Sequence, residues 1–328
     1  MTTAGVSTPC DTPGTMSQIL VILGPPRSFT TVVSAMLGQH PQMYGLPEVH
    51  LFGADTIAEC WRQCAEATFN MDHGLVRVVA QLFFGDQTED NVRRAAGWLQ
   101  RRAHFTTGLL IETLAGRVQP RILVDKSPSI VYRVETLRRA HAMFPQARFL
   151  HLVRHPRGHG ESVMKYLRER RKLGPVPPGH WLLHLAAYPN SDENAGTSSD
   201  IDPQRAWLAL HRNICEFLDF LPAHQTLRVR GEELVGEPDH GLREVLDWLG
   251  LRTDDEAVEE MKRPERSPYA CYGPPSARFG NDRAFLQDPV LRPARAERHS
   301  LDGPLSWRGD GGEFSAEVRE LAQRFGYE

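Results

Sequence analysis

The stretch from Ile19 to Thr31, I-L-V-I-L-G-P-P-R-S-F-T-T, constrains this chain more than any other. A β-branched and aliphatic run ends at Gly24, and a hydroxyl-rich segment then passes into the helical pattern V-V-S-A-M-L-G. A strand, a turn and a helix in this order leave open backbone N–H groups at the helix start, which is where proteins hold phosphate. Counted from Gly24, a phosphate loop of the pattern G-x-x-x-x-G-K-[ST] has its second glycine and its lysine as sixth and seventh residues. This chain has Phe29 and Thr30 there, and its cation comes earlier, at Arg27. The loop is a phosphate cradle without the lysine that reaches the β/γ-phosphates of a nucleoside triphosphate.

The rest of the chain repeats the same two patterns. Aliphatic runs predict strands at 121–124, 148–153 and 226–230. Helical periodicity predicts helices over about 30–38, 54–69, 71–83, 88–115, 131–144, 157–170, 205–219, 239–249 and 313–324. Strands separated by helices of this length predict an α/β fold with a P-loop-type central parallel sheet flanked by helices. Residues 1–17, rich in Thr, Ser, Gly and Pro, read as a flexible N-terminal tail, and 18–328 as a single domain. Residues 171–204 are too long and polar for a core connection and read as a lid or substrate insertion. Residues 262–310, dense in Pro, Arg, Gly and aromatics, read as an irregular segment covering an active site.

Composition narrows the classes of function. A formal net charge of −3 argues against an extended nucleic-acid footprint. No apolar run reaches the ~18 residues that span a membrane, and no basic-then-apolar leader opens the chain, so a cytoplasmic protein is expected. The five cysteines, Cys10, Cys60, Cys64, Cys215 and Cys271, form neither a disulfide framework nor a zinc pattern. No ligand cluster calls for a metal, and nothing in the sequence fixes an oligomeric state.

A second anion site follows the logic of the first. The strand at 148–153 runs into R-H-P-R-G-H-G-E-S-V, with Arg154 where the strand stops and Ser162 in the early turns of the next helix. Ligands of open parallel sheets gather beyond the carboxyl ends of the strands, so both segments open onto one edge. Their spacing suits two anionic groups on one ligand, as in a nucleotide with phosphate at both ends. Arg154 offers a planar pair of donors and Ser162 a hydroxyl.

Together these residues resemble the sulfotransferases that use 3′-phosphoadenosine 5′-phosphosulfate (PAPS). That family's P-R-S-[GF]-[ST]-[ST] loop holds the 5′-phosphosulfate and is matched by Pro26, Arg27, Ser28, Phe29, Thr30 and Thr31. Its R-x-P segment with a following serine holds the 3′-phosphate and is matched by Arg154, Pro156 and Ser162. V-D-K-S-P, 124–128, is similar to the D/E-K-[ST]-P segment of bacterial and Golgi-type members, and the resemblance runs over about residues 18–165. G-P-P-S-A-R-F-G-N-D-R-A-F, 273–285, resembles the loop covering the cofactor near adenosine, which implies Arg278, Gly280 and Asn281 as further cofactor contacts. S-L-D-G-P-L-S-W-R, 300–308, and the F-G-Y ending resemble sulfotransferases of bacterial polyketide assembly lines. Those act on a β-hydroxyacyl chain held by an acyl carrier protein, and sulfation prepares decarboxylation to a terminal alkene. No carrier or thioesterase accompanies this sequence, so a free small-molecule alcohol or phenol also fits as acceptor.

The resemblance implies sulfuryl transfer from PAPS to a hydroxyl, with 3′-phosphoadenosine 5′-phosphate (PAP) as product. Such transfer needs an anchored donor, a base, and positive charge where the leaving phosphate gains negative charge. Arg27 suits the last role, and Lys126, just after a strand, suits the same region. For the base, Y-G-L-P-E-V-H, 44–50, offers Glu48 and His50. Glu48 aligns with the family's glutamate, while His50, two residues on, can share its face. His73, His151, His155, His159 and His184 are further candidates that packing or surface roles explain as well. Trp181, His184 and Tyr188, or Phe52, Trp61 and Phe83, could wall the acceptor, although aromatics at such places are more often core. R-E-R-R-K, 168–172, suits the acidic surface of a carrier protein, and a solvated helix end explains it equally. A P-loop kinase is disfavoured by Phe29–Thr30 and by Arg154 ending the strand at 148–153, with no convincing metal-binding aspartate. A non-catalytic nucleotide-binding protein would keep the anion sites and lack the base.

Overall fold

The computed structural model describes residues 18–66, 71–172, 202–292 and 299–328. Five strands form one parallel sheet: β1 (Ile19–Leu23), β2 (Met43–Gly45), β3 (Ile122–Asp125), β4 (Arg148–Val153) and β5 (Thr226–Arg230). Their order is β2-β3-β1-β4-β5, with Leu20 opposite Val124 on one side and Arg148 on the other. Between and after them run α1 (Thr30–Leu37), α2 (Ile57–Glu66), α3 (His73–Phe84), α4 (Glu89–Gln100), α5 (Thr107–Val118), α6 (Val134–Met143) and α7 (Pro156–Arg171). Among the described residues there follow α8 (Pro203–Leu218), α9 (Gly231–Gly236), α10 (Pro238–Leu249), α11 (Asp255–Met261), α12 (Arg283–Gln287) and α13 (Ala316–Arg324).

The near-continuous apolar sequence of β1 follows from burial on both faces, since every one of its residues is buried. Its alternate side chains serve different cores. Ile19, Val21 and Leu23 pack with α3, α5, α6 and α8, whereas Leu20 and Ile22 pack with α1, α10 and α11. The sheet is therefore covered on both sides and open only at its ends, and its carboxyl end carries the turns after β1, β3 and β4.

Three departures from the sequence reading have local causes. β2 has three residues, too few to carry a period, and docks beside β3 through Tyr44 and Leu123. The single helix predicted over 88–115 is two helices. Thr106 caps α5, its hydroxyl accepting from the Leu109 N–H at 3.2 Å, while the Phe105 carbonyl accepts from the Ile57 N–H at 3.0 Å. The helix predicted from 131 starts as a 3-10 turn at Pro128–Tyr132, and α6 begins only after extended Arg133. The expected tail at 1–17 and nearly all of the expected insertion at 171–204 lie outside the described residues. The described part of 262–310 is irregular, with only short helical turns. Among the described residues no helix is long and apolar enough to cross a membrane.

Candidate active site

Because β1 and β4 are neighbours, the turn after Leu23 and the turn after Val153 lie side by side. In the first, Arg27 and Phe29 have φ of 73° and 61°, in the left-handed region that costs a residue with a Cβ about 1–2 kcal/mol. These two reversals bring the chain into α1 at Thr30 with no side-chain cap, so the first N–H groups of the helix stay open to a ligand. The Ser28 hydroxyl is fully buried and has no hydrogen-bond partner among the described residues. Leaving such a group unpaired costs about 1–3 kcal/mol, a cost that a bound anion removes.

Arg154 reaches back from the second turn into the first. Its Nη1 donates to the Arg27 carbonyl at 2.6 Å, and its guanidinium lies 4.3 Å from the centre of the Phe29 ring. Burial lowers its pKa to about 10, which leaves it charged at neutral pH. Arg27 itself donates through Nε to Ser162 Oγ at 3.3 Å, pairs with Asp282, and sits 5.6 Å from the centre of the Tyr166 ring. Asp282 is held in turn as the cap of α12, its Oδ1 accepting from the Ala284 N–H at 3.0 Å. The two predicted anion sites are thus one continuous, cationic hydrogen-bonded patch.

A third turn, after β3, adds the carboxylate. Lys126 Nζ donates to Thr31 Oγ1 at 3.0 Å and to Asn281 Oδ1 at 3.5 Å, and it pairs with Glu48. The lysine side chain is 1% exposed and the glutamate 23%, so the cation is sealed while the carboxylate keeps an open side. The Glu48 N–H donates to the Gly280 carbonyl at 2.8 Å. His50 Nε2 lies 3.8 Å from Glu48 Oε2, and its Nδ1 is 2.8 Å from Ser129 Oγ. Burial lowers the His50 pKa to about 4, so the ring is neutral near pH 7. Behind them burial pushes the Asp125 carboxyl up to about 7, although the Ser127 hydroxyl donates to it at 3.1 Å.

A profile of the sulfotransferase family matches residues 20–255, from β1 to the start of α11. The chain belongs to the sulfotransferase family. It is accordingly an enzyme whose sulfuryl donor is PAPS. The uncapped helix, the orphaned Ser28 hydroxyl and two arginines make a donor set that fits a ligand bearing phosphate. The sulfotransferase domain of the Synechococcus PCC 7002 olefin synthase superimposes with a TM-score of 0.69 at 24% identity, covering 95% of each chain. The sulfotransferase domain of the curacin biosynthetic pathway gives a TM-score of 0.70 at 22% identity, covering 95% of this chain and 98% of that one. At these identities the likeness is one of fold. No curated protein sequence matches the chain.

Of the residues singled out in the sequence of this sulfotransferase, Pro26 to Thr31, Glu48, His50, Lys126, Arg154, Ser162, Gly280 and Asn281 meet at one place. Arg278 does not join them directly: it is exposed, with its guanidinium 5.3 Å from the centre of the Tyr272 ring. His73 stacks on Phe279, its Nδ1 accepting from the Phe279 N–H at 3.1 Å. His155 caps α7, and His151 and His159 are fully buried. Phe52 packs in the core edge-on to Phe144, while Phe83 and Trp61 lie half-buried against the same core. Trp181, His184 and Tyr188 lie outside the described residues. Among the described residues no group of three or more His, Cys, Asp or Glu is arranged to hold a metal ion. Sequence reasoning missed Asp282 and Tyr166, which meet Arg27 beside the predicted Ser162. Asp282 follows Asn281 directly, and its position before a short helix was the available signal.

Proposed function

We propose that this sulfotransferase moves the sulfuryl group of PAPS to the β-hydroxyl of an acyl or polyketide chain carried by an acyl carrier protein. Glu48 is the base, and Arg27 and Lys126 are the cations at the leaving phosphate. The observation that carries the reading is Lys126, which touches Thr31 of the phosphate loop, Glu48 and Asn281 at once. One buried ammonium ties the donor loop to the carboxylate, and that is the juxtaposition sulfuryl transfer requires.

Bound PAPS supplies an activated sulfuryl group whose S–O bond to phosphate breaks as the acceptor oxygen bonds to sulfur. The open N–H groups of α1, the Ser28, Thr30 and Thr31 hydroxyls and Arg27 hold the 5′ end, and Arg154 with Ser162 the 3′-phosphate. Glu48 takes the acceptor proton on its exposed side. His50 stands 3.8 Å from that carboxylate and, being neutral, brings no charge that competes with Lys126 for it. Each charged contact made chiefly in the transition state is worth about 2–4 kcal/mol. The carrier-bound acceptor is supported by the fold shared with domains of an olefin synthase and of the curacin pathway. A cytoplasmic location and one domain over residues 18–328 are part of the same proposal.

Two measurements test it. Calorimetry should show PAP binding more tightly than ATP, and the reverse order removes the donor assignment. Intact-protein mass spectrometry should show sulfate added to a carrier-bound β-hydroxyacyl chain and not to simple phenols. Sulfation of the phenols alone makes the acceptor a free small molecule.

A further inference from the structure

Exposed Arg228, on the edge strand β5, and three buried histidines, none of them used by the reaction, lie between the far edge of the sheet and the phosphate loop. Arg228 Nε, on β5, lies 3.1 Å from His151 Nδ1, on β4. His151 Nε2 lies 2.9 Å from His211 Nδ1, on α8. His159 Nε2, on α7, lies 3.0 Å from the Pro26 carbonyl. All three histidines are fully buried, and α7 packs against α8.

Chemistry sets the direction of each bond. A guanidinium can only donate, so His151 Nδ1 accepts and a neutral His151 carries its proton on Nε2. That proton is donated to His211 Nδ1, which puts the His211 proton on Nε2. A carbonyl can only accept, so His159 donates from Nε2 and keeps a lone pair on Nδ1. The two ring atoms left over are His211 Nε2, a donor, and His159 Nδ1, an acceptor, and both are buried without a partner among the described residues. Orphans of opposite polarity on packed helices are what one bridging water satisfies. Burial holds all three rings neutral, well below their ordinary pKa, as this pattern demands.

We propose that His151, His211 and His159 form a one-way hydrogen-bond relay, closed by a buried water, that positions the donor-binding loop by pinning the Pro26 carbonyl. The effect on the loop follows from peptide geometry. Carbonyl and N–H lie on opposite sides of one planar unit, so pinning the Pro26 carbonyl inward aims the Arg27 N–H the other way. Arg154 pins the next carbonyl, that of Arg27, in the same manner. Two consecutive peptide planes of a strained turn are thereby fixed before a ligand arrives, which lowers the ordering cost of binding. His159 is a positioning residue here, touching the loop backbone and no reacting atom.

The inference rests on the loop being the donor site, so its test has two independent arms. Nitrogen-15 NMR of the whole protein near pH 7 should show all three rings neutral and protonated at Nε2. An Nδ1 proton or an imidazolium at any of them overturns the relay. Calorimetry with PAP should show His159→Phe weakened about tenfold, while His159→Gln, whose amide can still donate to Pro26, stays within about threefold of the parent. Equal PAP affinity for His159→Phe and the parent, or equal loss in both variants, removes the positioning role. If the parent itself does not bind PAP, the donor assignment fails and the NMR arm alone decides the relay.

Discussion

Glu48 and Lys126 show how a buried charge is made usable at the scale of single residues. An ammonium 1% exposed is costly unless paired, and Glu48 with the Thr31 hydroxyl and the Asn281 amide oxygen supplies that pairing. The carboxylate cannot leave without stranding the lysine, and so it stays beside the phosphate loop. Glu48→Gln keeps the shape and the acceptor oxygen for Lys126 but cannot take a proton. Turnover should fall by about 10²-fold or more, with PAP affinity in calorimetry changed by less than about threefold. Retained turnover would remove Glu48 as base. Arg27 works through geometry as much as charge, because one planar fork reaches Ser162 and Asp282 together. Arg27→Lys keeps the charge and loses the fork. It should lower kcat by about 10–100-fold, and parent-like kinetics would reduce Arg27 to a point charge.

At the scale of elements, the position of Glu48 is set by two glycines on different segments. A Cβ on Gly74, at the start of α3, would sit 2.0 Å from the Glu48 carbonyl oxygen. Gly280 has φ +116, and a Cβ there would come within 2.9 Å of Gly74 Cα. The Glu48 backbone is therefore clamped between α3 and the covering segment, and backbone atoms cannot swing aside as side chains do. Gly74→Ala should destabilise the protein by about 1–3 kcal/mol and cost activity in the folded fraction, read by thermal melts and turnover together. A parent-like melt would mean that the contact is relieved cheaply. None of this clamp was legible in the sequence, where Gly74 is one small residue in an apolar pattern. The four long strands, the Arg27 and Arg154 loops and the D-K-S-P turn were legible, because each is a local run whose period or motif lies within a few residues. β2 and the break between α4 and α5 depend on partners far along the chain. The same holds for Asp282 reaching Arg27: adjacency to Asn281 is visible in a sequence, and a pairing across 255 residues is not.

For the whole molecule, the number of buried neutral histidines decides how the fold responds to acid. Burial holds His50 near 4 and His155 and His159 near 3, whereas an unfolded chain protonates histidine near 6.5. Between pH 6.5 and about 3 the unfolded state binds protons that the folded state refuses, so stability falls as pH falls through that window. His151 and His211, also pushed well below their ordinary value by burial, act in the same sense. Asp125 opposes them. Its pKa is raised to about 7 from 3.8, so its contribution is full below 3.8 and is lost as pH rises through 7. Burial lowers His40 and His73 as well, and one carboxyl against these seven rings leaves a net loss in acid, at up to about 1.4 kcal/mol per pH unit for each histidine that stays neutral. Guanidinium unfolding at pH 7.5, 6.5, 5.5 and 4.5 should therefore show a nearly flat midpoint down to about 6.5 and a steep fall below it. A midpoint that holds or rises between 6.5 and 4.5 would mean that the rings gain their protons without unfolding. In that case the relay beneath the phosphate loop would be broken in acid, and its state near pH 7 would be read from the nitrogen-15 signals.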